Sequence, residues 1–146
     1  MTSTSGSSRP LQPVETVALV AHGRIDVRAP EDRVRAVAER AGVQLLREPA
    51  ETQLAVALGG DGTILRSLAK LLGVGTPVIG VNFGRVGFLA SIAPDLLEDD
   101  LARVFAGDYR TIEQPTLEAQ LDGQTLVAVN DVVATSSTLG RMIELG

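Results

Sequence analysis

The fold is decided by the stretch Leu54–Leu58 (LAVAL), which is followed directly by Gly59–Thr63 (GGDGT). Five apolar residues in a row predict a short buried strand. The glycines after it let the chain turn sharply and let a ligand approach the main chain with no Cβ in the way. Apolar residues then recur at helical spacing from Thr63 to Leu72, so the sequence predicts a strand, a glycine turn and a helix in succession.

This order of elements suits a phosphate-bearing ligand. The glycine turn lies at the carboxyl end of a strand, where open α/β sheets bind ligands, and the N-terminus of the next helix favours anions. We expect Thr63 to cap that helix and Asp61 to project a carboxylate that accepts a proton from a hydroxyl. The alternative is a tight turn in which Asp61 is only a cap; the five-residue motif between strand and helix favours the functional interpretation.

The rest of the first two-thirds of the chain alternates strand and helix patterns. Nearly all-apolar strands that alternate with helices imply a parallel sheet covered on both faces. The sequence therefore predicts an α/β fold with a Rossmann-like parallel sheet that carries the GGDGT loop. The further predicted strands are Val17–Ala21, Val43–Leu46 and Pro77–Val81, and the further predicted helices run from Pro30 to Gly42 and from Pro94 to Phe105.

The pattern changes after Tyr109. Thr116–Leu121 alternates between apolar and polar residues, Asp122-Gly123 is a hairpin turn signal, and Thr125–Thr135 is a long extended run. Arg141–Leu145 is a further candidate strand. These are interpreted as the first strands of an incomplete antiparallel β domain. The predicted organisation is a disordered tail over 1–13, a nucleotide-binding α/β domain over 14–110, and the start of a β-rich domain over 111–146.

Composition excludes several classes of function. The 146 residues contain no Cys and one His, so disulfides, thiolate catalysis and multi-His metal sites are ruled out, and no metal ligand is predicted. A net charge of −5 argues against nucleic-acid or anionic-membrane partners. The Ser/Thr-rich segment Met1–Pro10 lacks the apolar core of a secretory signal, and no apolar run approaches the roughly 20 residues of a membrane span. We therefore expect a cytoplasmic protein.

Two clusters of charged residues are interpreted as ordinary surface features and not as parts of a functional site. The first predicts a solvated face of the first helix and contains Arg33, Arg35, Glu39 and Arg40. The second predicts an acidic helix N-terminus, stabilised by the helix dipole, and contains Asp95, Glu98, Asp99 and Asp100.

The motif resembles one shared by NAD kinases, diacylglycerol and sphingosine kinases, and 6-phosphofructokinases. Three later segments are similar to NAD kinases in order and spacing: Pro77–Leu89 (PVIGVNFGRVGFL), Asn130–Val133 (NDVV) and Arg141–Leu145 (RMIEL). The resemblance identifies the amino-terminal part of an NAD kinase. It implies phosphorylation of the 2′-hydroxyl of the adenosine ribose of NAD to give NADP, with ATP or polyphosphate as phosphoryl donor and a divalent cation, usually Mg²⁺.

The resemblance also implies residue roles. Asp61 matches the general base, and Phe88 matches the aromatic beside the adenine end. Asn130 and Asp131 match a pair that hydrogen-bonds the nucleotide, although Asp131 stands where the family has Glu and is one methylene shorter. The remaining matched positions face the dinucleotide and are Gly62, Leu65, Arg66 and Arg141. From the residues alone, Phe88 could equally be core, and Arg66 and Arg141 could be solvated surface charges.

NAD kinases continue into a β-rich domain with a Gly/Thr/Ser-rich nucleotide loop, and they form dimers or tetramers through it. The resemblance therefore implies an apparently truncated chain and a homo-oligomer in the full-length form. Two other functions stay open. One is a lipid kinase of the diacylglycerol or sphingosine type, which shares GGDGT, and the other is an NAD(P)-binding module without turnover.

Overall fold

The computed structural model describes residues 12–21, 27–83, 88–89, 92–129 and 131–132. They belong to two compact units, Met1–Ile112 and Glu113–Gly146. Of the predicted tail, only Gln12 and Pro13 lie among the described residues, and both are exposed. None of the helices in the described ranges is long and apolar enough to cross a membrane.

The first unit is built on a four-stranded parallel sheet. Its strands are β1 (Thr16–Ala21), β2 (Gln44–Leu46), β3 (Leu54–Leu58) and β4 (Val78–Val81), in the spatial order β2-β1-β3-β4. Every neighbouring pair is parallel. Ile92 adds one more parallel bridge beside Val81 at the β4 edge. The α/β prediction with a Rossmann-like parallel sheet is confirmed.

Three helices connect and cover the strands: α1 (Arg28–Ala41), α2 (Asp61–Lys70) and α3 (Leu97–Phe105). α1 begins two residues before Pro30, which is tolerated because the first N–H groups of a helix need no intrahelical partner. It ends at Gly42, whose φ of 70° is the left-handed conformation that glycine adopts without strain. Short 3₁₀ turns precede β3 and α3.

The central strand β3 has one face of large side chains and one of small ones. Leu54, Val56 and Leu58 join a cluster with the buried residues of α1 and α3. Ala55 and Ala57 alternate with them along β3, so they point to the opposite face. They are fully buried, and α2 packs against β3 and β4. We call these the large-residue face and the small-residue face.

One ion pair links the two helices on the large-residue face. The Arg33 guanidinium on α1 donates to both carboxylate oxygens of Glu98 on α3 at 2.6 Å, and to the carbonyl of Pro94 at 2.7 Å. The prediction of a solvated face holds only in part for Arg33, because its side chain is partly exposed and also reaches across to a second helix. Arg35, Glu39 and Arg40 are exposed, as predicted.

The second unit contains an antiparallel hairpin of β5 (Leu117–Leu121) and β6 (Gln124–Ala128). Asp122 and Gly123 form its turn with φ values of 49° and 78°, as the Asp-Gly pair predicts. β6 ends earlier than the predicted extended run, because its last residue, Ala128, pairs with the first residue of β5 and no partner follows. Arg141–Leu145 lies outside the described residues.

Candidate functional site

The candidate site lies where the strand order of the sheet reverses. The chain passes from β1 through α1 to β2 on one side, and then crosses to β3 on the other side of β1. In open α/β sheets, ligands bind outside the carboxyl ends of the strands at such a switch point. The GGDGT segment follows β3 directly, so its turn lies at this edge of the sheet.

Gly59 makes the turn possible. Its N–H donates to the Val81 carbonyl at 3.0 Å, so the turn is fixed to the end of β4. Its φ of 151° is rare for other residues, and a Cβ there would collide with the Thr63 side chain. Gly60 precedes the helix in an extended conformation. The close approach of the turn to the first turn of α2 therefore requires glycine at 59.

The start of α2 differs from the prediction. The helix begins at Asp61, with Gly60 at the N-cap and no side chain bonded as a cap. Thr63 is therefore the third helical residue and does not cap the helix; its N–H donates to the Gly60 carbonyl at 2.9 Å. Its side chain is buried and occupies the space that a Cβ on residue 59 would need. The prediction that Thr63 caps the helix is wrong, because the helix starts two residues earlier than the apolar pattern suggests.

Asp61 is the half-buried first residue of α2, and both of its carboxylate oxygens bind the main chain. Oδ2 accepts the Phe88 N–H at 2.8 Å and Oδ1 accepts the Leu89 N–H at 3.1 Å. A carboxylate has about four lone-pair positions, so two are used and two remain. The helix N-terminus also favours negative charge here. Asp61 can thus hold the loop and still accept a hydroxyl proton.

These two bonds connect the glycine turn to the loop that follows β4. The base of this loop is closed because the Asn82 N–H donates to the Ile92 carbonyl at 3.0 Å and the Ile92 N–H donates to the Gly80 carbonyl at 3.1 Å. Phe88 lies in the loop with its side chain fully exposed. Asp61 therefore places an exposed aromatic ring beside the turn.

The first two turns of α2 add a positive charge. Leu65 is half-buried, and Gly62 and Arg66 are exposed. The Arg66 guanidinium lies 3.9 Å from the position that a Cβ on Gly62 would occupy, so the side chain reaches back over the first turn of the helix. Among the described residues, no hydrogen bond or ion pair engages this guanidinium. It is therefore available to an anionic group at the same edge.

The structure brings together only part of the predicted site. Asp61, Gly62, Arg66 and Phe88 lie around the start of α2 and the loop bonded to it. Asp131 is exposed and belongs to the second unit. Asn130 and Arg141 lie outside the described residues, so the roles of all three stay predictions.

Sequence reasoning missed the partners of Asp61. They are main-chain N–H groups of Phe88 and Leu89, 27 and 28 residues further along the chain. Backbone amides carry no residue signature, so no motif could have pointed to them. The nearest available signal was the glycine-punctuated loop after the strand that neighbours β3.

Comparison with known proteins gives one family. The family model described as the ATP-NAD kinase N-terminal domain matches residues 22–109, which include the GGDGT turn and Phe88. Curated proteins named NAD kinase are similar to this chain. The one from Nitratidesulfovibrio vulgaris is 45% identical over 100 residues, which cover 65% of this chain and 35% of that protein.

Other relatives match a longer part of the chain. The NAD kinase of Hydrogenovibrio crunogenus is 41% identical over 114 residues, 73% of this chain and 39% of that protein. That of Magnetococcus marinus is 36% identical over 130 residues, 84% of this chain and 43% of that protein. The chain thus spans little more than a third of the length of the curated relatives that it matches.

Proposed function

The chain belongs to the ATP-NAD kinase family, and we propose that it phosphorylates the 2′-hydroxyl of the adenosine ribose of NAD to give NADP, with ATP or polyphosphate as phosphoryl donor. The observation that carries this proposal is the Asp61 carboxylate, held by two main-chain N–H groups at the carboxyl end of β3. This arrangement places an acceptor for a hydroxyl proton beside the exposed aromatic ring of Phe88.

Asp61 acts as the general base. A ribose hydroxyl is a weak nucleophile at neutral pH, and a positioned carboxylate that takes its proton accelerates the reaction by about 10²–10⁴-fold. The ribose oxygen forms a bond to the terminal phosphorus of the donor as the bond from that phosphorus to the bridging oxygen breaks. With ATP as donor, ADP leaves with the bridging oxygen and the proton resides on Asp61. The two bonds to the loop fix the carboxylate while this happens.

The other residues orient the dinucleotide. The exposed Phe88 ring packs against the adenine, and the Arg66 guanidinium, with Gly62 and Leu65 beside it, faces the phosphates. Asn130 and Asp131 hydrogen-bond the nucleotide, and Arg141 adds a positive charge. Alignment and charge neutralisation supply the acceleration that a general base does not.

The residues present fit a divalent cation held mainly by substrate. Within the described ranges, no three His, Asp or Glu side chains come together as metal ligands. Mg²⁺ usually keeps several waters and binds substrate phosphates, so it needs few protein ligands here and leaves the Asp61 carboxylate to the proton. The cation would neutralise charge on the phosphoryl group, while Asp61 takes the proton.

The domain organisation follows the same proposal. We assign residues 14–110 to the nucleotide-binding domain and 111–146 to the start of a β-rich domain that forms homo-oligomers in the full-length protein, in the cytoplasm. The β5–β6 hairpin supports this assignment. Leu117, Leu121 and Leu126 share one face of it and are 44–63% exposed, and an isolated hairpin of two strands is only marginally stable in water.

Substitution of the base tests the function. Asp61→Asn removes the proton acceptor and one of the two bonds to the loop, so we expect kcat for NADP formation to fall by about 10²–10⁴-fold or more. NAD binding, followed by calorimetry, should change much less. Asp99→Asn, the same change at an exposed position in the first turn of α3, is the matched control and should leave both quantities unchanged.

Near-normal turnover in Asp61→Asn would reject the general-base role. Phosphate transfer to diacylglycerol in preference to NAD would support the lipid-kinase alternative, which the comparisons do not favour. NAD binding by the unsubstituted chain with no NADP formed would support a binding module without turnover.

A further inference from the structure

The main chain at Phe88 and Leu89 is held by a single side chain. Asp61 accepts the Phe88 N–H at 2.8 Å and the Leu89 N–H at 3.1 Å. Within the part of the chain that the structure describes, these two residues form no other hydrogen bond. We call these two bonds the loop anchor. The place of this segment beside the glycine turn therefore depends on the Asp61 carboxylate.

Packing does not fix the Phe88 ring. Its side chain is fully exposed, and Leu89 is only half-buried. The bonds that join Asn82 and Gly80 to Ile92 close the base of the loop, so they hold its ends and not the segment that carries the ring. Among the described contacts, the loop anchor therefore sets the position of the ring.

The strength of the loop anchor depends on the charge of Asp61. Hydrogen bonds to an ionised acceptor are about twice as strong as neutral ones. The N-terminus of α2 favours the ionised form, and so does Arg66, whose side chain reaches back over the same turn of the helix. The neighbouring strands β3 and β4 contain no titratable residue. A proton on the carboxylate removes its charge and should weaken the hold on the segment about tenfold or more.

The proposed reaction delivers such a proton. The ribose O–H bond breaks as an O–H bond to the Asp61 carboxylate forms, and the ribose oxygen bonds to phosphorus. Resting on the proposed function, we propose that this proton transfer weakens the loop anchor, so that Phe88 loosens its contact with the adenine once NADP has formed. When the proton passes to water, the ionised carboxylate holds the segment again for the next NAD. The general base thereby couples the chemical step to product release.

Hydrogen exchange of single main-chain amides tests the loop anchor without substrate. Asn matches a protonated carboxyl in shape, keeps one oxygen acceptor and carries no charge. In the unliganded 146-residue chain, Asp61→Asn should accelerate exchange of the Phe88 and Leu89 N–H groups about tenfold or more, measured by NMR at constant pH. The Ile92 N–H, which donates to a carbonyl at the base of the loop, should exchange as before. Asp99→Asn is the matched control and should change none of the three.

The unsubstituted chain provides a second measurement, which does not depend on how the variant folds. The ¹³C shift of the Asp61 carboxyl reports its protonation as the pH is lowered. Relative to the intrinsic exchange rates at each pH, the Phe88 and Leu89 amides should lose protection in step with that shift, while Ile92 keeps its protection.

A double-mutant cycle on NAD affinity tests the link between the anchor and the ring. The loss of affinity caused by Asp61→Asn, measured by calorimetry, should be about threefold or more smaller in a Phe88→Ala background, because the anchor then has no ring to position. A carboxylate that contacts NAD only directly would give the same loss in both backgrounds.

The proposal is overturned by unchanged exchange at residues 88 and 89 in Asp61→Asn, by equal acceleration at Ile92, or by equal losses of NAD affinity in the two backgrounds. Equal acceleration at Ile92 would mean that Asp61 stabilises the whole domain and not one segment. Loss of protection confined to residues 88 and 89, in a chain that forms no NADP, would support the loop anchor and count against the proposed function.

Discussion

The two faces of the parallel sheet differ in what covers them and in what they contribute. On the large-residue face, Leu54, Val56 and Leu58 pack with α1 and α3. On the small-residue face, the strand register places Ala18 beside Ala55 and Ala57 beside Gly80. All four are buried, and none carries more than a methyl group. A helix can lie closer to such a surface than to a surface of leucines.

The comparison separates stability from positioning. Burial of a Val or Leu side chain contributes about 1.5–3 kcal/mol, so most hydrophobic stabilisation comes from the large-residue face. The small-residue face buries less apolar area. It lets α2 lie against β3 and β4, so that its first residue, Asp61, stands directly at the end of β3. The site depends on the face that contributes less to folding.

Truncation on the large-residue face should give the largest change in stability. Leu54→Ala removes a buried side chain and leaves a cavity, so we expect the free energy of unfolding in urea to fall by about 2–5 kcal/mol. The folded fraction should retain its affinity for NAD. Leu96→Ala, at a half-exposed position just before α3, is the control, and we expect a change within about 0.5 kcal/mol. Equal effects at the two positions would remove the distinction between the faces.

Enlargement on the small-residue face should give a smaller change in stability and a larger change in function. Ala57→Val adds two methyl groups beneath α2, so overpacking should cost about 1–3 kcal/mol of unfolding free energy. The helix must shift, and we expect NADP formation per folded molecule to fall more than in Leu54→Ala. Ala102→Val, at an exposed position on α3, is the matched control. Full stability and activity in Ala57→Val would show that close approach of α2 is unnecessary.

The ion pair on the large-residue face should have the smallest effect. Hydrogen bonding to Arg33 lowers the pKa of Glu98 from 4.5 to about 2. Because the folded-state pKa is the lower one, the stabilisation is complete above pH 4.5 and is lost as the pH falls towards 2. Both side chains are more than a third exposed, so solvent screening limits the contribution to about 0.2–1 kcal/mol.

Glu98→Gln measures this contribution. The difference in unfolding free energy between the parent chain and the variant should be greatest near pH 7 and should shrink below pH 4.5. Asp108→Asn disrupts the more exposed pair with Arg103 and serves as the control, with a smaller difference expected at every pH. A difference that grew towards low pH would contradict the assigned sign.

Much of this arrangement could be predicted from the sequence, because it is encoded locally. The LAVAL run and the glycines after it gave β3, the turn and α2, and the Asp-Gly pair gave the hairpin turn. The alternation of Leu or Val with Ala in β3 also indicates one face of large and one of small side chains. The sequence analysis used the run only as the sign of a buried strand. The errors concern partners that are distant in sequence. Arg33 and Glu98 are 65 residues apart. The charge pattern of one helix does not indicate which other helix packs beside it.

Asp61 binds main-chain N–H groups and not side chains. The bonds to the loop therefore depend on the residue type at position 61 alone. Residues 88 and 89 can be exchanged for any amino acid other than proline without deleting the N–H groups that the carboxylate holds. Under the roles proposed above, Phe88 could therefore be varied to admit a different base while the Asp61 carboxylate keeps both of its bonds to the loop.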